Sequence, residues 1–124
     1  MTEWKTRIRC YCSTSGRNEI TEWRKKLSVK ERAKTDRFLK LMRQSKIWRM
    51  PDYRKLTGHD YGELRWDADK KEHRLFGFFD AGTWYALVGC THKGTVYDPH
   101  GAFAVGDRRM KEVKERKVQT EELL

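Results

Sequence analysis

Residues 61–92 hold three apolar runs, roughly 61–67, 72–79 and 83–92, separated only by "DADKK" and "DAGT". Parallel neighbours need a crossover of about a dozen residues or more, and these turns are far shorter. The three runs therefore predict an antiparallel meander. The second and third runs are apolar on both faces. They belong at the centre of a sheet with helices covering one face.

The flanking segments supply those helices and one more strand. "WKTRIRCYC", residues 4–12, alternates: Thr6, Ile8, Cys10 and Cys12 point one way, Lys5, Arg7, Arg9 and Tyr11 the other. That is the pattern of a half-exposed strand. "STSGRN" breaks it. Asn18 then caps a short helix in which Ile20, Trp23 and Leu27 fall at helical spacing. Ser28 and Glu31 form a capping-box pair that opens a second helix, with Phe38, Leu39, Leu41 and Met42 as its apolar face. "IWRMPDYRKLTGHD" reads as a connector, because Pro51 stops regular structure and Gly58 allows a turn. Asp98-Pro99 is read as a cap and first-turn pair. "DRRMKEVKERKVQTEELL" is read as a solvent-facing terminal helix that frays over 118–124. The order is β-α-α-β-β-β-α: a single α+β domain spanning 1–124, an antiparallel sheet with two helices on one face and a C-terminal helix.

Charge limits the partners. Lys plus Arg number 28 against 18 Asp plus Glu, a net charge of +10. Such a surface favours nucleic acid, an acidic protein or an anionic membrane. No apolar run approaches a membrane span, and Met1–Arg9 is too polar for a secretory signal. An odd count of 3 cysteines is a poor disulfide framework. A cytoplasmic protein with reduced thiols is expected.

Several chemistries lack their residues. No G-x-S-x-G, phosphate-binding loop or dinucleotide fingerprint is present. Cys10-x-Cys12 and Cys90-x-His92 could converge on zinc only if the first and last strands adjoin. The spacing is not that of a zinc knuckle, and a free cysteine is commonly a core residue. Neither metal nor cofactor is expected. Cys90 and His92, two apart on a strand, are poorly placed as a thiol–imidazole pair.

A cationic cluster remains. Arg65 lies on the strand face opposite Leu64 and Trp66, Arg74 follows His73, and "THKGTVY" brings His92, Lys93 and Tyr97 to the mouth of the last strand. RNA cleavage by the 2′-hydroxyl needs a base, a cation for the growing phosphate charge and an acid for the leaving 5′-oxygen. Arginine suits the middle task, since its fork grips phosphate and stays charged. His92, Lys93 or Tyr97 could move the protons. Phe76, Phe78 or Tyr97 could stack an unpaired base. Lys71, His73, Phe78, Arg108 and Arg109 complete the expected RNA contacts. The plainer alternative stays open: Arg65 and Arg74 as solvated charges, or as partners of Glu63, Asp67 and Glu72.

The stretch "YRKLTGHDYGELRWDADKKEHRLFGFFDAGTWYALVGCTHKGTVYDP" resembles the core of the RelE/HigB toxin superfamily, in its phage-derived branch. Leu56 and Gly58, Glu63-Leu64-Arg65, Arg74, the strand 83–91, Lys93 and Asp98-Pro99 carry the resemblance. It implies a type II toxin: a small basic endoribonuclease that cuts mRNA, typically in the ribosomal A site. It also implies a cognate antitoxin, often with a helix-turn-helix DNA-binding domain. Arg65, Arg74 and Lys93 carry over as phosphate-binding residues; His92 and Tyr97 are added from position and chemistry. Two departures touch this corner. "THKGTVYDP" has one lysine where the branch has a cluster, and glycines precede the last helix. The fold also serves gyrase-directed ParE-like relatives, so a non-catalytic basic module, or a phage accessory RNA-binding protein, is the alternative.

Overall fold

A computed structural model describes residues 4–93 and 96–123, without the side chain of Lys93. The chain is α+β, with three helices and a 7-stranded, mostly antiparallel sheet. β1 is Arg7–Tyr11, followed by α1 (Glu19–Lys25) and α2 (Val29–Arg43). The short strand β2 (Tyr53–Lys55) precedes the meander β3 (Gly62–Ala68), β4 (Lys71–Asp80) and β5 (Thr83–Lys93). β6 (Val96–Asp98), α3 (Ala102–Lys114) and β7 (Thr120–Glu122) complete it. The strand order is β2-β3-β4-β5-β1-β7, with β6 pairing β5. β1 runs parallel to β5, with Cys10 opposite Ala86; every other pairing is antiparallel.

Both helix caps lie where the sequence places them. Asn18 accepts from the amides of Ile20 and Thr21, and Ser28 exchanges reciprocal bonds with Glu31. α1 and α2 bury Ile20, Leu39 and Met42 against Ile8, Cys10, Leu64, Trp66, Leu75 and Trp84. α1 comes very close to the sheet: a Cβ on Gly89 would run into the Trp23 ring. Trp66 fixes α2 to β3, donating its indole N–H to Thr35 Oγ1 at 2.9 Å while stacking on Phe38 at 5.1 Å.

Four expectations change. The last helix is not solvent-facing: it covers the other side of the sheet, with Ala102 and Gly106 buried and Phe103, Val105, Met110 and Val113 packed on a second core of Phe76, Phe78, Leu87 and Val88. Helices thus cover both faces. A bulge at Phe76/Gly77 leaves Leu87 unpaired and turns both Leu87 and Val88 to the α3 side, and the cover on both faces explains why β5 reads as apolar on each. Asp98 belongs to β6 rather than to a helix cap, and α3 starts at Ala102 with no side-chain cap. The segment 118–123 does not fray; β7 pairs with β1, and Arg43 Nη1 donates to the Leu123 carbonyl at 2.8 Å. Leu41 is 56% exposed rather than part of the α2 core face.

His73, expected at RNA, lies on the α1/α2 side and is fully buried. Its Nε2 is 2.7 Å from Glu31 Oε2, and its ring stacks on Trp66. Burial pushes the Glu31 carboxyl up, but hydrogen bonds from His73 and Ser28 prevail and hold it down to about 2. A depressed folded-state pKa stabilises above the unfolded value and loses that effect as the carboxylate is protonated. Stability should therefore fall as pH drops from about 4.5 through about 2, and urea midpoints of Glu31→Gln should fall less steeply across that window. Parallel pH curves for the two proteins would refute the assignment.

Candidate functional site

Directly opposed residues in an antiparallel ladder share a face. Arg65 opposes Arg74, Arg74 opposes Cys90, Glu72 opposes His92, and His92 opposes Tyr97. The alternation therefore gathers Arg65, Arg74, His92 and Tyr97 on one face, as expected, but this is the α3 side of the sheet and not the open face that the sequence reading left uncovered. Lys93 ends β5, and its side chain lies outside the described residues.

The centre of the cluster is Glu63, which the sequence offered only as an ion-pair partner. It is fully buried. Its carboxylate accepts from Arg54 Nη2 at 2.9 Å and from the Tyr97 hydroxyl at 2.9 Å. Arg65 Nε and Arg74 Nε stand 3.6 and 3.8 Å away. Both of these buried N–H groups lack a hydrogen-bond partner among the described residues. The available signal was a carboxylate in "GELRW" that alternation puts on the face of Arg65. Arg54 was less legible, because the strand that carries it is only three residues long.

The two arginines differ in access. Arg74 is 3% exposed, and its Nη1 donates to the His73 carbonyl at 2.8 Å. The Arg65 side chain keeps 22% exposure, and its Nη1 lies 3.1 Å from Met50 Sδ. Arg74 sits beneath the cluster, whereas Arg65 presents a positive charge to its surface. His92 stands at the mouth. Its Nδ1 is 3.5 Å from Arg74 Nη2 and 3.8 Å from Glu72 Oε2, and its ring stacks on Tyr97 at 4.4 Å. Burial, and then the bond to Glu63, push the Tyr97 phenol up to about 12. Tyr97 is thus a neutral donor held on Glu63. Burial likewise pushes the Cys90 thiol beneath the cluster up to about 12, which makes it an unreactive neighbour of His92.

Two depressions meet at Glu72. One, of about 270 Å³, is lined by Pro51, Asp52, Arg65, Trp66, Asp67 and Arg74 as well as Glu72. The other, a groove of about 870 Å³, is lined by Lys70, Lys71, Thr91, His92, Val96 and Asp98 with the same Glu72. Lysines, an imidazole, a carboxylate and the Arg65 guanidinium thus border two depressions that share Glu72.

The remaining expected contacts lie elsewhere. Phe78 is 4% exposed, stacked on Tyr85 with Lys114 over its ring, and has no free face for a base. Arg109 binds α3 to the sheet, donating to the Leu87 carbonyl at 2.8 Å and lying over the Tyr11 ring. Arg108 is exposed, 3.7 Å from Glu112 on its own helix. β1 and β5 do adjoin, but Cys10 packs on the α1/α2 side and Cys90 on the α3 side, so they do not converge. Among the described residues, no group of three or more His, Cys, Asp or Glu is placed to hold a metal ion. No helix among them is long and apolar enough to cross a membrane.

No protein-family model matches the chain, and neither a curated protein nor a solved structure matches it. The fold and the cluster define a class on their own terms: a small cationic α+β protein with a carboxylate–guanidinium–imidazole cluster on the α3 side of the meander.

Proposed function

We propose that this chain is a type II toxin of the RelE/HigB kind, a cytoplasmic endoribonuclease that cuts mRNA without a metal ion and is neutralised by a cognate antitoxin. The observation that carries this reading is His92, backed by Glu72 and stacked on Tyr97, at the junction of the Arg65 depression and the lysine-bordered groove. The α+β architecture, with three helices and a mostly antiparallel sheet among the described residues, supports this reading.

The roles follow from access. Lys70 and Lys71 attract the RNA backbone into the groove. Arg65 meets the scissile phosphate and offsets the charge growing on its oxygens as the 2′-oxygen attacks. His92 moves the proton, with the Glu72 carboxylate 3.8 Å from its Nδ1. The products are a 2′,3′-cyclic phosphate and a free 5′-hydroxyl. Arg74 and Tyr97 act through Glu63: they hold the cluster rather than touch the reacting atoms.

The rival is a non-catalytic basic module that inhibits gyrase or binds RNA. The burial of Arg74 favours it, since the Glu63 carboxylate already engages that guanidinium. The test is to incubate the purified protein with mRNA in EDTA, with and without ribosomes, and to map the ends. Cyclic-phosphate ends that fall about tenfold in Arg65→Ala, together with relief of growth arrest on expression, are expected. Intact mRNA in both settings with folded protein would overturn the proposal, and damaged DNA in arrested cells would select the gyrase alternative.

A further inference from the structure

The outer face of α2 carries uncompensated positive charge. Val29, Lys30, Ala33, Lys34, Arg37, Lys40, Leu41 and Gln44 are all exposed. At 3.6 residues per turn they fall in one arc of roughly 140°. Both acids of the helix lie outside that arc and are engaged internally. Glu31 is buried against His73, and Asp36 takes a two-pronged bond from Arg24 at 2.8 and 2.5 Å. Lys30, Lys34, Arg37 and Lys40 have no carboxylate within 4.0 Å among the described residues.

This face is not uniformly polar. Val29 is 73% exposed and Leu41 56%. Between the cations runs a groove of about 420 Å³, lined by Lys34, Arg37, Phe38, Lys40, Leu41 and Gln44. An RNA backbone needs the cations but gains little from Phe38 and Leu41. An apolar floor with cationic rims is instead complementary to a helix with an apolar stripe flanked by carboxylates.

We propose that the outer face of α2 is a docking surface for an acidic amphipathic helix of a partner protein, with its apolar stripe on Phe38 and Leu41 and its carboxylates against Lys34, Arg37 and Lys40. The proposal does not depend on the ribonuclease reading, because α2 covers the side of the sheet opposite the Glu63 cluster.

The probe is a synthetic amphipathic helix with leucines on one face and glutamates on the other, compared with a scrambled isomer of the same composition. Amide shifts of the full chain on titration should map to α2 and leave α3 unchanged. The amphipathic peptide should bind at least about tenfold more tightly than the isomer. Leu41→Ser, and separately the pair Lys34→Glu and Arg37→Glu, should each weaken it by about tenfold or more. Both changes lie on the exposed face, and unchanged circular dichroism would show that the fold is kept. Equal binding of the two peptides, or indifference to Leu41→Ser, would overturn the proposal and leave a purely electrostatic face. Oligouridylate shifting the same amides with no dependence on Leu41 would overturn it in favour of RNA. Concentration-dependent dimerisation abolished by Leu41→Ser would overturn it in favour of a second copy of the chain.

Discussion

Glu63→Leu should lower the unfolding free energy by about 3–5 kcal/mol, the usual cost of removing one partner from a buried ion pair. Glu63 is fully buried and is the carboxylate on which Arg54, Arg65 and Arg74 all converge. Without it, Arg74, at 3% exposure, keeps its charge with only Glu72, 3.6 Å away, as a carboxylate neighbour among the described residues. The Tyr97 hydroxyl loses its acceptor as well. Replacing both members of a buried pair by apolar groups can be nearly neutral. Glu63→Leu combined with Arg74→Met should therefore recover a large part of the loss. Urea unfolding of the single and double variants measures both values. A loss below about 1 kcal/mol for Glu63→Leu would mean that the arginines are adequately solvated without it.

The second large effect is on chemistry. His92→Ala should reduce mRNA cleavage by about a hundredfold or more, the range for loss of a general acid–base group. His92 stands at the mouth of the groove, and its neighbours Arg74, Glu72 and Tyr97 have other partners. Its thermal midpoint should therefore stay close to that of the parent chain. The informative comparison sets cleavage against stability across His92→Ala and Glu63→Leu. A fall in cleavage without a fall in midpoint places His92 at the reacting atoms. A midpoint loss as large as that of Glu63→Leu would make it a structural residue instead.

Local signals in the sequence mark the major elements because they are local in physics too. The alternation of Thr6, Ile8, Cys10 and Cys12, the cap at Asn18 and the Ser28–Glu31 box each depend on neighbours a few residues away. The three-residue strands β2, β6 and β7 were not legible. At that length, a strand is defined by the partner it meets and not by its own pattern. The same limit governs the site. Alternation alone puts Arg65, Arg74, His92 and Tyr97 on one face. How deep each lies depends on what surrounds it: Phe103 of α3 against Tyr97, β6 beside β5 and the Arg65 amide bonded across to the Asp52 carbonyl. The sequence could therefore group the arginines but not tell the buried one from the presented one. His73 and Phe78 show the converse error, since polar or aromatic character says nothing about whether a helix lies over the residue.

The parallel pairing of β1 with β5, and its closure by β7, has a consequence for the order of assembly. β1 is synthesised before both of its partners: β5 closes the meander, and β7 lies beyond α3. The hairpins of β3, β4 and β5 can form from neighbouring chain, whereas the sheet cannot be completed until Thr120–Glu122 has emerged. The Glu63 cluster, which needs Tyr97 from β6, is likewise assembled late.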